Sequence, residues 1–250
     1  LDECKGEISF NHFSFIYPDG SNESLKDISF KINPGELIGV VGKIGSGKTT
    51  LVNSLLRLYN IEKNQIFIDG VDIMDLDIKS VRDNIAYVPQ DNFLFSSTVQ
   101  ENIAFSNKRM SIDKVKSAAN FADVHENITN FKDGYNTMTG ERGVTLSGGQ
   151  KQRISIARAY AKDAPIMIMD DSVSAVDVKT EEAILSNIQE KRAGKTTIII
   201  ASRISTVSKA DRILVLKDGE LEAFDSPENL LKISPTYQKM VYLQKLESEL

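Results

Sequence analysis

Cysteine is nearly absent from this 250-residue chain: Cys4 is the single example. No internal disulfide can form, and a reducing compartment is expected. Long apolar runs are missing as well. Stretches such as Ile166–Met169 and Ile198–Ala201 are a few residues long, far short of the ~20 that cross a bilayer. No block of Lys or Arg stands out, and 30 basic residues face 35 acidic ones for a net charge of −5. A binder of nucleic-acid backbone is therefore disfavoured. An initiator Met is lacking, and the expectation is a piece cut from a longer protein. Two sequons, Asn22-Glu23-Ser24 and Asn127-Ile128-Thr129, stand without a secretory signal and read as chance matches. With 41% hydrophobic and 26% charged residues, the composition excludes a disordered, fibrous or membrane-spanning chain. The length fits one large domain, or two.

The first segment reads as strands. Ile8, Phe10, Phe13 and Phe15 approximate period-two alternation up to the Pro18-Asp19-Gly20 turn, and Ile28–Ile32 follows. Leu37–Val41 is a short, wholly apolar run of the kind found in buried parallel strands. Glycines come next, then helical spacing over Lys48–Leu58. Ile66–Ile68 ends at Asp69-Gly70, and Ile85–Val88 is another short strand. The middle, from about Thr98 to Tyr160, reads as helical, with Ser111 as an N-cap. Strand and helix then alternate: Ile166–Met169, Lys179–Gln189, Thr197–Ala201, and Ile213–Leu216 up to the Asp218-Gly219 turn. Tyr237, Met240, Val241 and Leu243 mark an amphipathic tail helix. This order predicts an α/β core with a mainly parallel sheet into which the helical middle is inserted.

Gly42-Lys43-Ile44-Gly45-Ser46-Gly47-Lys48-Thr49 matches G-x-x-x-x-G-K-[ST] after an apolar strand and at the opening of a helix. Glycines let backbone N–H groups curl around an anion, and the helix N-terminus adds partial positive charge. Lys48 can reach β- and γ-phosphates and Thr49 can ligate Mg²⁺. The loop points to a nucleoside triphosphate. Ile166–Met169 leads into Asp170-Asp171, carboxylates at a parallel strand's C-terminal end, where α/β ligands bind. Asp170 is the candidate Mg²⁺ holder, and Asp171 the candidate base for an attacking water. Leu146-Ser147-Gly148-Gly149-Gln150 opens a helix and offers a second exposed anion site. Such a site is useful if it closes over a nucleotide held by another chain.

With these residues in hand, the sequence resembles the nucleotide-binding domain of ATP-binding cassette exporters over nearly its whole length. The resemblance implies the fold: a P-loop, RecA-like core with a mixed sheet, an antiparallel β subdomain and an inserted helical subdomain. Core and β subdomain would occupy about 1–90 and 163–250, the helical part about 91–162. It also implies roles. Tyr17 matches the aromatic that stacks on adenine. Gly42 to Thr49 match Walker A, with Thr50 as the next nucleotide-binding position. Gln90 matches the glutamine that senses Mg²⁺ and the membrane domain. Thr139-Gly140-Glu141-Arg142-Gly143 matches the exporter loop, and Ser147, Gly148, Gly149 and Gln150 the signature. Asp170 matches the Walker B aspartate. Ser174-Ala175-Val176-Asp177 matches the D-loop, with Val176 where Leu is usual.

Two positions depart from the family's pattern. The base after Walker B is usually Glu and is here Asp171; the switch histidine is replaced by Ser202, and neither His12 nor His125 is near it. Asp is shorter than Glu by roughly 1.5 Å. A base must come to ~2.6–3.2 Å of its proton, and a misplacement of ~1 Å can cost ~10²-fold. Ser202 cannot bring positive charge to a γ-phosphate and reaches less far than imidazole. The expected outcome is a site that binds Mg-ATP well and hydrolyses it slowly.

The resemblance further implies head-to-tail pairing, in which each signature completes the other domain's Walker site. The expected partner is a different subunit with Glu, His and an altered signature, in an exporter whose membrane domain precedes this segment. That places the chain at the cytoplasmic face of the cell membrane. A homodimer with a competent Asp base is the alternative. A regulatory module without turnover shares the fold and differs only in catalysis. A non-transport relative acting on DNA or ribosomes is disfavoured by the acidic balance, the single cassette and the lack of heptads between Walker A and signature.

Overall fold

The computed structural model describes residues 3–140, 145–174 and 176–248. In chain order, β1 (Ile8–Ile16), β2 (Glu23–Ile32) and β3 (Leu37–Gly42) are followed by α1 (Lys48–Leu55), β4 (Ile66–Ile68), β5 (Val71–Asp72), α2 (Ile78–Asp83) and β6 (Ile85–Val88). Then come α3 (Val99–Ile103), α4 (Ile112–Phe121), α5 (His125–Thr129), a 3₁₀ turn (Gly134–Asn136) and α6 (Gly148–Ala161). The last stretch holds β7 (Ile166–Asp170), α7 (Val178–Lys191), β8 (Thr196–Ile200), α8 (Ile204–Val207), β9 (Arg212–Lys217), β10 (Glu220–Asp225), α9 (Pro227–Ile233) and α10 (Pro235–Ser248).

Six strands form a mixed sheet in the order β10-β9-β3-β8-β7-β6. β9 through β6 run parallel, and β10 is antiparallel to β9. β7 and β8 are buried at every residue, as their unbroken apolar or Thr-Ile runs require of a sheet covered on both faces. Side chains alternate across it. Ile166 and Ile168 enter one core with α1 and the four-stranded antiparallel sheet β2-β1-β4-β5; Met167 and Met169 enter the other, with α6 and α7.

Local chemistry explains where the elements differ from the sequence pattern. In β1 the buried positions shift from even to odd between Phe10 and Phe13. A bulge falls there, and His12 takes φ 47°. α1 ends at Leu55, not Leu58: Arg57 turns left-handed, and Leu58 is half exposed. The helical middle is broken into α3, α4, α5 and α6, and Thr98 bridges to Met138. Ser111 does cap α4, accepting from the Lys114 amide at 3.4 Å. Asp69-Gly70 and Asp218-Gly219 each have two positive φ values, the two-residue hairpin conformation. Each therefore starts a return strand, β5 and β10, that the sequence pattern did not show. Among the described residues, no helix is long and apolar enough to cross a membrane.

Candidate nucleotide-binding site

β3 lies inside the mixed sheet between β9 and β8, so the loop that leaves it emerges at the C-terminal edge of the parallel strands. Gly42 ends β3 in register with Leu216 of β9. A Cβ there would meet the Leu216 carbonyl oxygen at 2.4 Å and Ser46 Oγ at 2.5 Å. Gly47, at φ 101°, caps α1 where a side chain would strike Leu25 Cδ2 at 2.5 Å. Lys48 curls back. Its Nζ donates to the carbonyls of Gly42 at 2.7 Å and Lys43 at 3.0 Å. Burial lowers the affinity of this ammonium for its proton, and the nearby carboxylates of Asp170 and Asp171 oppose that. Ser46 is 3% exposed, and its hydroxyl has no protein partner. An orphaned buried hydroxyl is costly, and here it belongs to the loop expected to wrap an anion. Lys43, Ile44 and Gly45 face solvent.

The loop forms one wall of a cleft of about 480 Å³. Thr49 is exposed at its edge, while Thr50 is buried and its hydroxyl pairs with Tyr17 Oη at 2.8 Å. The Tyr17 ring stands edge-on to Phe15 and Tyr59, at centroid separations of 5.0 and 5.4 Å. It is thus fixed relative to the phosphate loop. Asp218-Gly219 closes the far side.

Asp170 ends β7 and is 4% exposed. Burial raises its pKa; the Tyr87 hydroxyl, donating at 3.3 Å, and Lys48 act against that. Asp171 follows at φ 43°, a rare conformation for a non-glycine residue. It is held by its backbone. Its amide donates to the Ile200 carbonyl at 2.9 Å, and its carbonyl accepts from Ser174 Oγ at 2.8 Å and Gln152 Nε2 at 3.5 Å. Asp170 is in register with Ile200 on β8. The residues just beyond the two strands therefore come together: Ser202 Oγ donates to Asp171 Oδ1 at 3.4 Å. Val88 is in register with Met169, so Gln90, exposed two residues past β6, emerges at the same edge.

Thr49, Gln90 and Asp170 together offer a hydroxyl, an amide and a carboxylate. These are the hard oxygen donors that suit Mg²⁺ beside phosphate oxygens. Among the described residues, no group of three or more His, Cys, Asp or Glu could hold a metal alone. The donor set thus fits a cation shared with a phosphate, not a protein-only cage.

Gln90, Asp170, Asp171 and Ser202 do not line the cleft itself, and the other predicted residues stand further apart from the loop. Ser147 caps α6, accepting from the Gln150 amide at 3.2 Å while Gln150 Oε1 accepts from the Ser147 amide at 3.0 Å. This capping box leaves Ser147 and Gly148 exposed and Gly149 and Gln150 partly buried, and a Cβ on Gly148 would meet nothing within 4 Å. Asp177 caps α7 through the Thr180 amide (3.0 Å) and hydroxyl (2.8 Å), bonds that hold its carboxyl below the usual range. Among the described residues, no hydrogen bond joins either helix start to residues 42–50. Glu141, Arg142, Gly143 and Ala175 lie outside the described residues.

Residues 25–174 match the family described as ABC transporter. The chain belongs to that family. Its α/β ABC ATPase fold, with mixed sheet and antiparallel layer, is that of a solved bacterial Atm1-family ABC exporter with ATP bound: TM-score 0.92, 38% identity, 96% of this chain and 42% of that one covered. The probable multidrug resistance ABC transporter ATP-binding/permease protein YheI of Bacillus subtilis (strain 168) is 44% identical over 241 residues, 96% of this chain and 41% of that protein. The ATP-dependent lipid A-core flippase of Dechloromonas aromatica (strain RCB) is 40% identical over 248 residues, 99% and 42%. This is a nucleotide-binding domain of the ABC exporter type, and it spans 41–42% of the length of these relatives.

In this ABC domain, sequence reading missed Tyr87 as the donor to Asp170 and Gln152 as the link from α6 to the Asp171 carbonyl. Tyr87 is the one partly buried residue of β6, a polar tip at the active edge. Gln152 is 2% exposed in a helix, and no sequence pattern distinguishes it from its surface neighbours.

Proposed function

We propose that this chain is the ATP-driven motor domain of a membrane exporter, and that its own Walker site binds Mg-ATP firmly but hydrolyses it slowly. One contrast between the phosphate loop and the neighbouring strand ends carries the reading. The groups for holding phosphate are complete: a Lys48 ammonium turned onto the loop, and a buried Ser46 hydroxyl without a partner. The hydrolytic edge carries two short side chains, Asp171 and Ser202, turned toward each other.

In this reading Tyr17, tied to Thr50, stacks on adenine. Gly42 to Thr49 wrap the phosphates, and Lys48 exchanges its carbonyl partners for phosphate oxygens. Mg²⁺, held by Thr49, Gln90 and Asp170, would neutralise charge on the β- and γ-phosphates. Asp171 accepts the proton of the attacking water, and Ser202 donates to the γ-phosphate. The shorter reach of both makes the step slow.

Ser147, Gly148, Gly149 and Gln150, with Ser147 and Gly148 exposed at the start of α6, complete the site of a second nucleotide-binding domain paired head to tail, and Asp177 is a further nucleotide-binding residue. The partner we infer is a different subunit with a Glu base and a switch His. We infer that a membrane domain is fused on the N-terminal side of this segment; that relatives are described as ATP-binding/permease proteins supports the fusion. Loops around Gln90 and Glu141, the latter outside the described residues, would transmit closure to the membrane domain. The domain then sits at the cytoplasmic face of the cell membrane.

The test is ATP binding and steady-state hydrolysis on the purified chain with Mg²⁺, over a range of protein concentrations. Firm binding with negligible hydrolysis throughout is the expected outcome. Brisk hydrolysis rising steeply with concentration would mean that Asp171 is a competent base in a homodimer, and the slow-site and heterodimer readings would fall.

A further inference from the structure

The inward face of α10 carries a polar residue where an apolar one is expected. Tyr237 is 2% exposed, and Met240 and Val241 pack against the core. Gln244 follows at helical spacing on the same face, while Leu243, which the sequence pattern placed inward, is 48% exposed. Gln244 Oε1 accepts from the amides of Ile204 at 2.6 Å and Ser205 at 3.3 Å. These are the first two residues of α8. The first amides of a helix have no partner within it, and Arg203 at the N-cap position makes no side-chain cap. Gln244 supplies that cap from 40 residues away.

The segment it grips carries Ser202. α7 holds the same segment from the other side. Arg203 Nη2 donates to Glu181 Oε2 at 2.6 Å and to the Val173 carbonyl at 3.2 Å, and the Thr206 hydroxyl donates to Glu181 Oε1. Ser202 itself is exposed and touches Asp171 only through a 3.4 Å bond. Its place is therefore set by its neighbours. α7 fixes the segment sideways, and Gln244 fixes the direction in which the chain enters α8.

We propose that Gln244 is a positioning residue: by capping α8 it sets where Ser202 stands at the γ-phosphate side of the nucleotide site. The C-terminal helix thereby acts on discrimination between ATP and ADP. This rests on the reading of Ser202 as the group facing the γ-phosphate.

The experiment compares Gln244→Leu, which removes the acceptor, with Gln244→Glu, which keeps it. Each is made in the full 250-residue chain, alone and with Ser202→Ala. ATP and ADP are titrated with Mg²⁺, and folding is checked by thermal melting. We expect Gln244→Leu to lower the preference for ATP over ADP by ~3–10-fold, the scale of a lost hydrogen bond, with ADP affinity unchanged. Gln244→Glu restores most of the preference. In the Ser202→Ala background Gln244→Leu adds nothing, because the two act through one contact. If Gln244→Leu does not fold, Gln244→Met carries the same comparison. An unchanged preference, an equal loss of ADP affinity, or an undiminished effect with Ser202→Ala would overturn the proposal. In each of those cases the reading of the site survives, provided Ser202→Ala itself lowers the preference. If Ser202→Ala leaves it unchanged, the reading of Ser202 falls and the proposal with it.

Discussion

Ser202 Oγ donates to Asp171 Oδ1 at 3.4 Å, across the ends of the neighbouring parallel strands β8 and β7. The bond is long for one between two oxygens. The family resemblance implies a longer side chain at each position, Glu and His. On the reading proposed above, the shorter pair stays within reach of each other but is drawn back from where a γ-phosphate and its attacking water would sit. The phosphate loop beside them shows no such change. On that reading the phosphate loop dominates binding and Asp171 and Ser202 govern hydrolysis, with Ser202 adding a smaller share to ATP preference.

Lys48 tests the binding half. Its Nζ is held by two backbone carbonyls in a half-buried setting that disfavours the charge. Lys48→Met should weaken ATP binding by ~10²-fold, since a charge-assisted phosphate contact is lost. The fold should remain, because burying a methyl group there carries no desolvation cost. Isothermal titration and a melt without nucleotide check the two parts.

Ser147 separates the chain's own site from the one it would complete. Ser147→Ala removes the α6 cap and should cost ~1 kcal/mol of stability. Nucleotide affinity of the chain alone should not change, because among the described residues no hydrogen bond runs from the start of α6 to the phosphate loop. Turnover of the chain paired with its partner subunit should fall. Parallel binding and coupled-assay measurements decide between the two.

Glu36 supplies a pH-dependent staple between the starts of the neighbouring strands β3 and β9. Burial pushes its carboxyl pKa up, but the Arg212 guanidinium and the Asn33 amide outweigh that and hold it below its ordinary 4.5. Arg212 meets it through two bonds, at 3.0 and 2.5 Å, and stacks 4.1 Å from the Phe224 ring. A depressed carboxyl pKa stabilises the fold above the unfolded value, and the gain fades as pH falls through the folded one. Glu36→Gln should therefore cost ~1–2 kcal/mol near pH 7. The gap between wild type and variant should close below pH 4.5. Urea melts at both ends of that range measure it.

Much of this was legible in the residues. The phosphate loop and the Asp170-Asp171 pair sit at strand ends, where a run of apolar residues stops abruptly at glycine or carboxylate. Such boundaries are strong local signals. The strands β5 and β10 were not visible, since Val71-Asp72 is too short for a pattern and β10 is only half buried. The break in β1 hid behind apolar residues that stay buried after a bulge shifts their parity. In α10, spacing alone favoured Leu243 over Gln244. Only the exposed amides of α8, distant in sequence, make a polar residue the better inward choice. Contacts of that kind depend on the assembled fold and leave no local trace.

The most direct measurement restores the two long side chains and follows hydrolysis and binding together. Asp171→Glu with Ser202→His, assayed at high protein concentration so that two copies can complete each other's sites, should raise kcat by ~10²-fold over the unaltered chain. ATP affinity should change by no more than ~10-fold, because the loop that holds the phosphates is untouched and only the Ser202 contact is altered. A turnover that does not rise, or an unaltered chain already as fast as the double variant, would contradict the account that Asp171 and Ser202 limit hydrolysis at this site.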